Sequence, residues 1–131
     1  MFMAHSGVRY LVLLFGAACA LYALVGWATG RPYDRTMRVI ASTFAGTLHL
    51  QILLGFAVIL TIPGSFSAAL MGHILPLVIA AVVVQLPVSV MRRRPEDQRT
   101  YAPHAVSSLI ALALIWAGVA AIGRSLLEST G

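Results

Sequence analysis

The chain has 131 residues, 60% of them apolar and only 10% charged, with a net charge of +5. A soluble domain carries about a quarter charged residues, so the composition excludes a water-soluble globule and points to an integral membrane protein. One cysteine excludes a disulfide scaffold.

Four apolar blocks follow one another, each close to the roughly 20 residues that a helix needs to cross about 30 Å of hydrocarbon. The first, about 7–29, is opened by Arg9 and closed by Gly30 and Pro32. Its arginine, apolar centre and small residues at Ala17, Ala18 and Cys19 have the outline of a secretory signal. The apolar run nevertheless continues to Trp27, which predicts a span with Cys19 as a small packing residue. The second block, about 39–62, ends in an IPGS turn at 62–65. The third, about 68–91, contains Pro76 and Pro87, each expected to free a carbonyl and bend the helix. The fourth, about 105–122, follows Pro103, which suits a first helical turn. Nearly the whole chain is used, predicting a single all-α domain, a transmembrane four-helix bundle.

All nine basic residues are arginines, and seven lie in two loops: Arg31, Arg35 and Arg38, then Arg92, Arg93, Arg94 and Arg99. Arg9 and Arg124 are on the other side. The positive-inside rule places both arginine loops in the cytoplasm and both termini on the outer side. MRRRPEDQR reads as a topology signal with some lipid-headgroup contact. No aromatic interleaving or fold signature accompanies it, so no nucleic-acid partner is expected.

Within this topology the histidines fall at different depths. His5 is at the outer mouth of the first span, His73 roughly 8 Å inside the third, and His49 near the middle of the second. His104 starts the fourth span and is expected at the cytoplasmic headgroups, outside any site. Small residues share the helical faces of the first two: Arg9, Gly16, Ala20 and Ala23 below His5, and Ser42 and Gly46 below His49. Such faces allow close helix packing. They also leave room for a flat macrocycle, and an imidazole inside an apolar span must bond a neighbour or ligate something.

Other chemistries are excluded by what is missing. There is no nucleophile elbow, no phosphate-binding glycine loop and no HExxH or paired-cysteine spacing; Asp34, Glu96, Asp97 and Glu128 all lie in loops or the tail. Too few polar residues line the spans for a solute path. Met1, Met3 and Met71 near His5 and His73 leave copper handling as a weaker alternative.

HSGVRYLVLL at 5–14, HLQILLGFAVIL at 49–60 and GHILPLVIAA at 72–81 together resemble small bacterial four-helix membrane proteins of cytochrome b-like type, over about three of the four helices. The resemblance implies a b-type haem held by axial histidines, with His5, His49 and His73 as the matching positions and Arg9 as a partner for a haem propionate. His49 with His73 is the preferred ligand pair and His5 with His73 its competitor, because His49 and His73 differ by roughly 10 Å in straight-helix depth. The implied function is electron transfer rather than stand-alone catalysis, as a free carrier or a small subunit of a respiratory or photosynthetic complex, with a quinone as a candidate partner. The rival expectation is a cofactor-free structural subunit of a larger complex or a homo-oligomer.

Overall fold

The computed structural model describes the backbone of residues 2–61 and 68–120, with side chains over 7–61 and 71–120. Four helices carry it: α1 (Phe2–Thr29), α2 (Arg35–Thr61), α3 (Ala68–Arg93) and α4 (Ala102–Ala120), with a single 3-10 turn, Glu96–Gln98, before α4. All four are long and apolar enough to cross a membrane, and there is no strand among the described residues. α2 begins earlier than its apolar block alone suggests, because Arg35 and Arg38 form its first turns, whereas α3 begins at Ala68 as expected. The IPGS turn and residues 121–122 lie outside the described residues.

Short connections force neighbouring helices antiparallel. α1 packs on α2 and α4, α3 packs on α4 and more loosely on α2, and the four close into a ring. The start of α1 and the end of α4 therefore share one end of the bundle, here the distal end. The α1–α2 and α3–α4 connections share the other, the arginine end.

The inward faces follow a three-to-four residue spacing: Val12, Cys19 and Ala23; Ala41, Phe44 and Leu48; Leu77, Ala81, Val84 and Val88; Ala105, Ser108, Ala111 and Ile115, all buried. Leu14, Leu21, Leu53, Leu86 and Trp116 face outward. Small side chains inside and bulky ones outside let the backbones approach, which is how helices gain packing energy where lipid is as apolar as the core. Gly16 shows the constraint. A Cβ there would come within 2.8 Å of the Leu112 side chain and 3.0 Å of the Phe44 ring, so α1, α2 and α4 meet at this level only because residue 16 has no side chain.

α1 ends as its sequence predicts. Gly30 takes φ +66°, the left-handed conformation that glycine enters without steric cost. The amide of Arg31 donates to Gly26 O at 3.1 Å and that of Gly30 to Trp27 O at 3.3 Å, the paired bonds of a Schellman stop. Asp34 then caps α2, its Oδ1 accepting from the Met37 amide at 2.9 Å. Pro76 and Pro87 lie inside a helix that runs through both.

Candidate functional site

His73 sits in the second turn of α3, and its Nδ1 lies 2.8 Å from the carbonyl oxygen of Gly118 on α4. A carbonyl only accepts, so the His73 Nδ1–H donates. Gly118 makes the approach possible: a Cβ there would stand 3.0 Å from the His73 backbone oxygen.

Two further polar side chains reach the same level. Gly16, Phe44 and Leu112 touch in one layer. Counting from it toward the distal end, Arg9 is seven residues along α1, Gln51 seven along α2 and Gly118 six along α4. At 1.5 Å per residue these are displacements of about 9 to 10 Å. Seven residues also bring a helix nearly back to the same face, so Arg9 and Gln51 inherit the inward direction of Gly16 and Phe44. Both are buried, 9% and 8% exposed. The Arg9 guanidinium donates to Tyr10 Oη at 2.8 Å and lies over the Tyr10 ring. Arg9, Gln51 and His73 thus form one polar layer in the distal half of the bundle, supplied by three helices. His5 is one helical turn beyond Arg9 on α1; its side chain lies outside the described residues, as does Arg124.

His49 takes no part in this layer. It faces outward on the α2–α3 seam, where its Nε2–H donates to Gln85 Oε1 at 3.2 Å and the Gln85 amide donates to Ser89 Oγ at 3.0 Å. Gly46, one turn away, has open space around it and Ser42 is half-buried, so this is a lipid-facing surface rather than a packed small-residue face. Gln85 is twelve residues from His73 on α3, about 18 Å along the helix. The structure therefore gives His49 to the α2–α3 seam and His73 to α4, and does not bring the two together. Gln51 replaces His49 inside the bundle because two residues turn a helix by about 200°.

His104 also departs from expectation. It lies at the start of α4, at the arginine end, but is enclosed rather than alone, at 1% exposed. Its Nε2 and Tyr33 Oη share a hydrogen bond of 2.8 Å, the two rings stack, and the hydroxyls of Ser107 and Ser108 donate to its carbonyl. Tyr101 packs on Tyr33 and Tyr22 and donates to Pro32 O at 2.8 Å. Its ring occupies the notch of Gly26, where a Cβ would lie 2.6 Å from it. Tyr22 Oη donates to Asp34 Oδ2, which also pairs with Arg31 at 3.3 Å. Burial works against the charge of Asp34, but the bonds from Tyr22 and Met37 and the charge of Arg31 outweigh it and hold the carboxyl below its usual range. Burial pushes the Tyr33 phenol up to about 12 against the pull of Arg99 and Arg38, and burial and the Asp34 charge raise Tyr101. These side chains lock the arginine end. The sequence hint was the set of three tyrosines flanking the loops, a pattern equally suited to a membrane-interface belt.

Among the described residues no group of three or more His, Cys, Asp or Glu is arranged to hold a metal ion. The class defined by fold and site is a multi-pass helical membrane protein with a polar layer inside its distal half. No known protein family matches the sequence, and no curated protein or solved structure is detectably similar to it.

Proposed function

We propose that the chain is a membrane electron-transfer protein that holds a b-type haem at the distal end of the bundle, with His73 as an axial ligand. The carrying observation is that Arg9, Gln51 and His73 stand at about one level of the distal half of the bundle, on three helices. A histidine whose Nδ1–H is fixed by a carbonyl would offer Nε2 in the tautomer that metal ligation uses. Arg9 at that level suits a haem propionate, which a guanidinium binds by charge-assisted hydrogen bonds. The second ligand in this reading is His5, so the proposed pair is His5 with His73. His49 and His73, engaged on different helices, do not fit one haem. The bound haem supplies one-electron chemistry; the chain orients it, neutralises its carboxylates and excludes water.

The arginine distribution supports an orientation with both termini outside, and the resemblance implies that the membrane is a bacterial plasma membrane. The lipid-facing chain His49–Gln85–Ser89 favours a subunit of a larger assembly over a free-standing carrier, because polar groups in hydrocarbon gain from a covering helix. A quinone is the proposed membrane-soluble electron partner.

A pyridine haemochrome spectrum of the protein, purified after expression with ample haem, tests the proposal. Bands of b type are expected in the wild type and in His49→Leu, and their loss in His73→Ala. A wild-type protein without haem would overturn it and leave the cofactor-free structural subunit.

A further inference from the structure

A small open cleft lies at the arginine end, between the start of α2 and the 3-10 turn that precedes α4. Tyr33, Asp34, Arg35, Arg38, Glu96 and Arg99 line it. Its charge is unbalanced. Among the described residues the ion pair within 4.0 Å is Arg31 with Asp34. The two oxygens of Asp34 are taken by the Met37 amide, Tyr22 and Arg31, and none of the three lining arginines has a carboxylate within that distance. Arg99 donates Nε to Arg94 O at 3.1 Å, which anchors its stem and leaves the two terminal nitrogens to the cleft. The floor is firm, since Tyr33 is stacked on buried His104. Three guanidiniums around one recess suit a tetrahedral oxyanion, which arginine grips through paired N–H groups.

The cleft stands where α2 and α3 leave the apolar zone. Val39, the residue that follows Arg38 on α2, is 51% exposed, giving an acyl chain an apolar step next to the charge. A free anion has no use for that step, whereas a phospholipid uses both parts. We propose that this cleft binds the phosphodiester headgroup of an anionic phospholipid, clamping the α1–α2 loop to the α3–α4 loop.

Native mass spectrometry of the full chain, with added phosphatidylglycerol or phosphatidylcholine, tests this. At about 1 kcal/mol for each basic residue near anionic lipid, phosphatidylglycerol is expected to bind about tenfold or more tightly than phosphatidylcholine. Arg38→Gln with Arg99→Gln should abolish that preference. Arg92→Gln with Arg93→Gln removes the same charge from the end of α3, outside the cleft, and should preserve it. Equal losses in the two double variants would reduce the effect to general surface charge and overturn the proposal. Inorganic phosphate is the second probe. If it stabilises the wild type against heat as well as phosphatidylglycerol does, the site belongs to a free anion and the lipid assignment fails. This melting comparison needs no variant, so it stands even where a substituted chain does not fold.

Discussion

The two ends of the bundle both contain buried polar side chains, but they are built differently. At the arginine end His104, Tyr33, Tyr101, Tyr22, Asp34 and Arg31 bond or stack on one another across two loops and two helices. At the distal end Arg9, Gln51 and His73 enter one layer from separate helices, and His73 is oriented by a backbone carbonyl. The first arrangement spends its hydrogen-bonding capacity on itself and so serves as a clasp. The second joins α3 to α4 through one imidazole, with Arg9 and Gln51 buried at about the same level.

Several substitutions separate the clasp from the site. The largest effect is expected from His73→Ala, with at least about a tenfold loss of haem absorbance per protein and little change in melting of the arginine end. Retained haem in that variant would erase the distinction between the ends. His104→Ala empties a fully enclosed ring position and should cost about 3 kcal/mol, in the range of large buried rings, while haem content per folded protein stays unchanged. Detergent-solubilised unfolding by denaturant measures it.

Gly26→Ala places a methyl against the Tyr101 ring and should cost about 1 to 3 kcal/mol by overpacking. Asp34→Ala should cost about 1 kcal/mol through the lost cap of α2.

Asp34 also gives the clasp a pH signature. Its carboxyl is held below the ordinary aspartate value of 3.8 in the folded protein, so the unfolded chain takes up its proton at higher pH than the folded one. The contribution is fully present above that ordinary value and is lost as pH falls through the lowered one. Melting temperature followed downward from neutrality should decline over that interval, and the decline should be shallower in Asp34→Asn.

Much of the architecture was legible in the residues because span length and loop punctuation are strong signals. Four apolar blocks became four helices, and Gly30 ended α1 by the geometry its position implied. Facing was harder to read. In a membrane bundle the inward and outward surfaces are both apolar, so the periodicity that orients a soluble amphipathic helix is nearly flat. His49 and Gln51 stand on opposite sides of α2, and composition alone does not choose between them. The choice came from Phe44, one heptad before Gln51, seating against Gly16. The enclosure of His104 was missed for a related reason: nothing local to APHAV shows that Tyr33, seventy-one residues earlier, will cover it. Arg9 and His73 were both singled out as candidate site residues, while the burial of Gln51 at their level was missed.

The notch at Gly26 has a consequence for biosynthesis. Its filler, Tyr101, lies seventy-five residues further along the chain, so the first hairpin enters the membrane with a gap at its loop end. Only when the second hairpin arrives do Tyr101 and His104 reach Pro32 and Tyr33. Completion of the arginine end therefore waits on the fourth span, and a chain stopped before residue 101 lacks the ring that fills this notch.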